Sequence, residues 1–213
     1  MGFFITKNKN MNHLEKTYEI FLKCNQNICI DSRSNSIKNS IFFAIQGDKF
    51  DGNNFVNEAL TKGAKYAIVN EEYPINNHSN NIIKVKNTIR FLQELATKHR
   101  EKWGNKKKYI IGITGTNGKT TTKELLQNLL SSQKKVCYTK GNFNNHIGVP
   151  LTILRLQEQH DIGIIELGAN HQGEIRQLCT IAQPTHGIIT NIGEAHLEGF
   201  GSYKNIIKTK NEL

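Results

Sequence analysis

Apolar and polar positions along the 213-residue chain follow two regimes that meet near residue 105. In the first, short β-branched or aromatic runs at 28–31, 41–45, 66–69 and 82–85 predict strands. Apolar residues at helical spacing predict helices near 13–22, 53–62 and 87–102, the last carrying Ile89, Leu92, Leu95 and Ala96. This half reads as mixed α and β, with a polar surface loop at 71–81. In the second regime strands and helices alternate. A strand at 109–114 leads through glycines into a helix at 120–132, and a strand at 136–139 precedes a loop and a short helix after Pro150. A strand at 162–167, a helix at 174–182, a strand at 186–191, a Gly-rich loop and a helix from about Ser202 complete the pattern. Strands alternating with helices imply a parallel sheet covered on both faces. The expected fold is α/β, with two domains, 1–104 and 105–213, divided at the polar stretch 103–108.

In parallel sheets of this kind ligands bind beyond the carboxyl ends of the strands. The unusual polar clusters of the second half all fall at such ends. The first is GITGTNGKTTT, residues 112–122. Glycines let a loop turn its amides inward, and the helix that follows adds its positive end, so the segment suits a phosphate. The expected cradle runs through Gly115, Thr116, Asn117, Gly118, Lys119, Thr120 and Thr121. Lys119 would reach the β- and γ-phosphates of ATP, and the Thr120 hydroxyl would hold Mg²⁺. A strict phosphate-loop pattern needs Gly six residues before Lys119, where this chain has Ile113, so the match is a variant.

Glu166 ends an apolar strand in IIELGAN, where a carboxylate suits a hard cation that also touches phosphate. A strand-end Glu can equally cap a helix. His196, in NIGEAHLEGFGS, lies past another strand and is a candidate metal ligand. Lys210, by charge alone, reads as part of a solvated helix face. Asn142, Asn144 and Asn145 in KGNFNNHIGVP form an amide-rich loop that can bind carbonyls or phosphates, or simply make turns. Asn170 and His171 pose the same question.

Composition changes this picture little. Hydrophobic content of 37% and charged content of 22% are ordinary for a globular protein. The net charge of +10 raises nucleic-acid binding. The lysines are scattered among Asn and Ile, however, and cluster only at Lys106-Lys107-Lys108, so no nucleic-acid partner is expected. A basic surface would still favour a polyanionic small substrate. No apolar run approaches the ~20 residues of a membrane span, and MGFFITKNKN lacks a signal-peptide pattern, so a cytoplasmic protein with no membrane partner is expected. The cysteines at 24, 29, 137 and 179 lack paired spacing, which leaves buried reduced thiols as the default.

The stretches TGTNGKTTTKE, KGNFNNHIGVPLT, IIELGANHQGEI and ITNIGEAHLEGFGS together resemble the Mur ligases of bacterial wall synthesis. The first is shared with related folate ligases; the others are more specific. DSRSNSIKNSIFFAIQGDKFDGNNF resembles the UDP-sugar domain of the same family, so the likeness covers nearly all of the chain after about Leu14. The resemblance implies an enzyme that uses ATP and Mg²⁺ to phosphorylate the peptide carboxylate of UDP-N-acetylmuramoyl-tripeptide. The amine of D-alanyl-D-alanine then attacks the acyl phosphate. It implies that Lys119 and Thr120 serve ATP and one metal, with Glu166 as a further ligand, and that His196 serves a second metal. It also implies that Lys210 is carried as a carbamate, and that Ser32, Arg33, Asp51 and Gly52 contact the uridine diphosphate. Asn142, Asn144 and Asn145 are counted with the substrate contacts. A monomer is expected. Family members are longer, so these 213 residues are expected not to ligate alone. Another amide ligase on the same core, a non-catalytic nucleotide-binding module and a basic nucleic-acid binder are the competing readings.

Overall fold

A computed structural model describes residues 13–47, 50–74, 79–104, 108–193 and 197–213. In the first half the elements are α1 (His13–Lys23), β1 (Ile28–Cys29), β2 (Ile41–Phe43), β3 (Gln46–Gly47), β4 (Phe50–Asp51), α2 (Val56–Thr61), β5 (Tyr66–Asn70), β6 (Ile82–Val85) and α3 (Thr88–Trp103). Strands β1, β2, β5 and β6 form a parallel sheet in that order. β2 is buried throughout, which is why its run Ile-Phe-Phe shows no alternation. β3 and β4 make a small antiparallel pair that the sequence pattern did not announce, two residues per strand being too short to show a period.

The second half supplies β7 (Tyr109–Thr114), α4 (Lys119–Leu130), β8 (Val136–Tyr138), α5 (Gly148–Leu154), β9 (Ile162–Glu166), α6 (Glu174–Ala182), β10 (His186–Ile189), α7 (Leu197–Phe200) and α8 (Tyr203–Lys210). Its sheet is wholly parallel, in the order β10-β7-β9-β8. The carboxyl ends of β7, β9 and β10 therefore open on one edge, which is where the phosphate loop and Glu166 must meet. The α5 helix starts at Gly148, two residues ahead of Pro150 rather than after it. A proline lacks an N–H that the first turn of a helix does not use, so it sits there without loss. The Asn145 side-chain oxygen accepts from the Gly148 amide at 2.9 Å and closes that turn.

The two halves share a core. Phe91, Leu92, Leu95 and Ala96 of α3 cluster with Leu151 and Leu154 of α5 and with Ile175, Leu178 and Ile181 of α6. Polar bonds fix the orientation: the buried Arg100 guanidinium donates to the carbonyls of Ala182 and Gln183, both at 3.0 Å, at the carboxyl end of α6. Trp103 Nε1 donates to the Gln157 carbonyl at 2.8 Å. Of the four cysteines, all free, Cys24, Cys29 and Cys137 are buried as expected, while Cys179 is only half-buried. Among the described residues no helix is long and apolar enough to cross a membrane.

His99 lies inside this joint. Its Nδ1 is 3.1 Å from the Tyr18 hydroxyl and its Nε2 is 2.7 Å from the Leu156 carbonyl. A neutral ring with its proton on Nε2 satisfies both contacts. Burial holds the His99 pKa below its ordinary value, so the folded state refuses a proton that the unfolded chain accepts. Stability contributed by the neutral ring is therefore present above the ordinary histidine pKa of ~6.5 and declines as pH falls below it. Urea unfolding at about pH 8 and about pH 5 should show this loss. His99→Gln should be less stable at the higher pH and should show a shallower pH slope. Burial also holds His160 below its ordinary value, and its share of the slope should remain in that variant.

Candidate active site

The phosphate loop joins β7 to α4 through two glycines that need positive φ, Gly115 at +145° and Gly118 at +79°. At Gly115 a Cβ would stand 2.0 Å from Thr190 Oγ1, so no side chain fits. The loop is gripped by the segment after β10. The Thr116 amide donates to the Asn191 carbonyl at 3.0 Å, and the Asn117 amide to Asn191 Oδ1 at 2.9 Å. Thr190 Oγ1 donates to the Asn117 carbonyl at 2.6 Å, and the Gly193 amide to Thr116 Oγ1 at 2.9 Å. The amides of Thr116 and Asn117, counted in the cradle from sequence, are thus turned to Asn191. Those of Gly118, Lys119, Thr120 and Thr121 precede the first helical bond, from the Thr122 amide to the Gly118 carbonyl, and are the orphan donors of a helix start. Such donors with the helix dipole behind them make an anion site.

Lys119 folds back across this turn. Its Nζ donates to the carbonyls of Gly115 at 2.8 Å and Thr116 at 2.9 Å. Burial lowers the Lys119 pKa, and the Glu166 carboxylate nearby works against that shift. Glu166, only 2% exposed, is held at three points. Thr120 Oγ1 donates to its Oε2 at 3.0 Å, Asn144 Nδ2 donates to its Oε1 at 2.9 Å, and its amide donates to Thr139 Oγ1 at 2.9 Å. The loop, β9 and the asparagine segment therefore converge on one carboxylate. The helix-capping alternative for Glu166 has no support in these contacts. The three asparagines divide: Asn144 serves Glu166, Asn145 closes the first turn of α5, and the Asn142 carbonyl accepts from the Asn144 amide at 2.8 Å.

Lys210 is not on a solvated face. It is 3% exposed, with Nζ 5.7 Å from the centre of the Phe200 ring. Burial, then the Lys119 cation, push its pKa down to about 8, while Glu174 and Glu212 work in the opposite direction. The residues that follow it pack back onto the sheet and α6. Leu213 packs over Gly112 and Gly187, where an added Cβ would approach it to 2.9 Å. The Glu212 carboxylate accepts from the Gly173 amide at 2.8 Å and the Arg176 amide at 3.0 Å at the start of α6. Glu174 accepts from the amides of Asn170 and His171, and its Oε1 lies 3.4 Å from His171 Nδ1. These bonds hold the Glu174 carboxyl below its ordinary range against an opposing desolvation effect. Among the described residues no group of three or more His, Cys, Asp or Glu could by itself hold a metal. His196 lies outside them.

A cleft of about 710 Å³ runs from Lys119, Asn144 and Gly168 past His171 to Arg90 and Gln93 at the start of α3. A second, of about 560 Å³, opens at the carboxyl ends of the first sheet beside Gln46, Asn53, Asn70, Lys86 and Asn87. The sequence-predicted uridine contacts lie apart from its lining. Ser32 is buried, and Arg33 is exposed and forked onto Asp31, whose pKa it lowers to about 2. Asp51 Oδ1 caps the turn at Asn53, and a Cβ on Gly52 would meet the Ile45 carbonyl at 2.6 Å. Both thus build the turn that presents Asn53. Sequence reasoning missed Asn191, Thr190 and Glu212. The short motif TNIG after a strand was the available signal for the first two.

Comparison with known proteins fits this geometry. Residues 113–213 match the Mur ligase middle domain, and residues 26–100 the Mur ligase family catalytic domain. The chain belongs to the Mur ligase family. Within it, the chain is 43% identical over 194 residues to the UDP-N-acetylmuramoyl-tripeptide–D-alanyl-D-alanine ligase of Haemophilus influenzae, an alignment covering 88% of this chain and 41% of that protein. A crystal structure of MurF from Acinetobacter baumannii superposes with a TM-score of 0.78 at 40% identity, covering 87% of this chain and 40% of that one. MurF from Thermotoga maritima in complex with ADP gives 0.77 at 38% identity, covering 89% and 43%. The chain thus spans well under half the length of these relatives.

Gly168 tests the asparagine's hold on Glu166. A Cβ there would stand 2.9 Å from Asn144 Cγ. Gly168→Ala should push the Asn144 amide off Oε1 and leave a buried carboxylate oxygen short of a donor. A loss of ~1–3 kcal/mol in unfolding free energy is expected, measured by denaturant titration. Gly173→Ala, where nothing lies within 4 Å of the added atom but φ is +86°, calibrates the purely conformational cost.

Proposed function

We propose that this chain carries the nucleotide and UDP-sugar sites of an ATP-dependent amide ligase joining D-alanyl-D-alanine to UDP-N-acetylmuramoyl-tripeptide. Residues 105–213 take ATP, and residues 1–104 take the UDP end of the substrate. One observation carries the reading: the buried Glu166 carboxylate, bonded to the Thr120 hydroxyl at 3.0 Å, stands at the mouth of a phosphate loop that includes Lys119. Hard oxygen donors of this kind fit Mg²⁺, which keeps part of its water and completes its shell with phosphate oxygens. Thr120 and Glu166 would hold it. Bound there, the ion neutralises charge on the transferred phosphoryl group.

The protein's own groups act around that ion. The helix-start amides from Gly118 to Thr121 receive the terminal phosphates. Lys119 leaves the loop carbonyls and follows the charge as it moves to the leaving oxygen. Asn144 keeps the second oxygen of Glu166 occupied, so the carboxylate presents one face. Lys210, brought into the site with a depressed pKa, has the partly neutral amine that carbamate formation needs; as a carbamate it becomes an anionic oxygen ligand. The peptide carboxylate lies in the 710 Å³ cleft, which runs from Lys119 towards the first half and fits a long substrate. Attack of that carboxylate on the γ-phosphorus of ATP would release ADP and give an acyl phosphate; attack of the dipeptide's amine would then form the amide and release phosphate. A monomeric, cytoplasmic protein acting on these small-molecule substrates is part of the proposal.

Calorimetry on the 213-residue chain tests the nucleotide half. MgADP should bind, and Lys119→Ala should weaken it about tenfold or more, ~1.4 kcal/mol, while binding of UDP-N-acetylmuramoyl-tripeptide stays unchanged. Equal MgADP affinity in the two proteins would remove the phosphate-loop assignment. An affinity for duplex DNA that falls steeply with salt would favour the nucleic-acid reading instead.

A further inference from the structure

We infer that Asn191, assisted by Thr190, is a positioning residue that holds the phosphate loop ready for nucleotide before any arrives. The inference rests on the nucleotide reading above and narrows it to particular amides. A loop rich in glycine is free to collapse or to turn its amides outward, and holding it in one shape carries an entropy cost. Here the cost is met from across the sheet. Asn191 takes the Thr116 amide on its carbonyl and the Asn117 amide on its side-chain oxygen, at 3.0 and 2.9 Å. Thr190 holds the Asn117 carbonyl at 2.6 Å, and the Thr116 hydroxyl is tied to Gly193 at both ends, 3.1 Å to its carbonyl and 2.9 Å from its amide.

The pairing sets a division of labour inside the motif. Thr116 and Asn117 spend their amides on Asn191, and Gly115 and Thr116 spend their carbonyls on Lys119. The amides from Gly118 onward are left for an incoming phosphate. Gly115 is part of the same device, because any side chain there would strike Thr190 Oγ1 at 2.0 Å and lift the loop off its brace. The brace also ties the loop to β10, which pairs with β7 up to Ile189 and Thr114. The segment that positions the loop is therefore an extension of a strand, with the Asn191 side chain adding a second acceptor to its backbone one.

Amide hydrogen exchange on the nucleotide-free chain, read by NMR, tests this directly. The Thr116 and Asn117 amides should exchange at least about tenfold more slowly than unbonded loop amides. Asn191→Ala should release the Asn117 amide, and Asn191→Asp, which keeps the acceptor oxygen, should retain its protection. Calorimetry should show MgADP bound about fivefold more weakly by Asn191→Ala, the equivalent of one hydrogen bond, with UDP-N-acetylmuramoyl-tripeptide affinity unchanged as evidence of intact folding. Fast exchange of both amides in the unaltered chain overturns the inference, as does an Asn191→Ala protein that loses protection yet binds MgADP normally. Failure of the unaltered chain to bind MgADP overturns instead the function it rests on; the exchange rates, which need no ligand, tell the two failures apart.

Discussion

A carboxylate only 2% exposed at the end of β9 sets the terms for everything around it. Removing a charge from water is unfavourable by several kcal/mol unless donors replace the lost hydration. Glu166 finds them on two separate pieces of chain: the Thr120 hydroxyl in the first turn of α4 and the Asn144 amide in the loop before α5. Its own amide reaches a third, Thr139 beyond β8. Each partner comes from a segment leaving the carboxyl end of a neighbouring strand, so the strand order β7-β9-β8 is itself a requirement of that charge. A sheet with β9 at an edge could not surround the carboxylate in this way.

The same economy of partners explains how the halves are joined. Arg100 is buried without a carboxylate opposite it and is satisfied by two carbonyls at the end of α6. This serves two deficits together, since the last carbonyls of a helix need donors as much as the guanidinium needs acceptors. His99 and Trp103 bond backbone carbonyls that follow α5. One face of α3 thus reads the ends of two helices in the other half. Its amino end, with Arg90 and Gln93, is left lining the cleft that leads to Lys119. The helix that joins the halves also forms one wall of the path between their sites.

How much of this could be read from the residues alone depended on sequence distance. The phosphate loop was legible because glycines, Lys119, Thr120 and a helix lie within a few positions and constrain one another locally. The strands of both sheets were legible from β-branched runs, while β3 and β4 were not, being too short to carry a pattern. Asn191 was invisible as a brace because its partners lie more than 70 residues earlier, at Thr116 and Asn117. The three asparagines looked alike in the chain and separated only when the tertiary fold gave Asn144 a carboxylate and Asn145 a helix start. Lys210 inverted its local reading for the same reason. A lysine in the last turn of a helix is ordinarily solvated, and nothing nearby in sequence says that this one will be buried with its Nζ over the Phe200 ring.

That enclosure has a consequence for the sign of the site. Burial disfavours the charged form of both Lys119 and Lys210, and the Lys119 cation adds to that effect at Lys210. Two ammonium groups cannot both remain fully charged there at small cost unless an anion joins them. Glu166 favours the Lys119 cation, and Glu174 and Glu212 favour that of Lys210, but burial outweighs them at both lysines. A bound phosphate would add negative charge beside them, as would conversion of one lysine into an anion. The first route favours polyphosphate, because positive charge that burial disfavours becomes favourable beside a phosphate. Under the proposed function, the unfavourable burial of these cations and their attraction for a nucleotide's phosphates have the same origin.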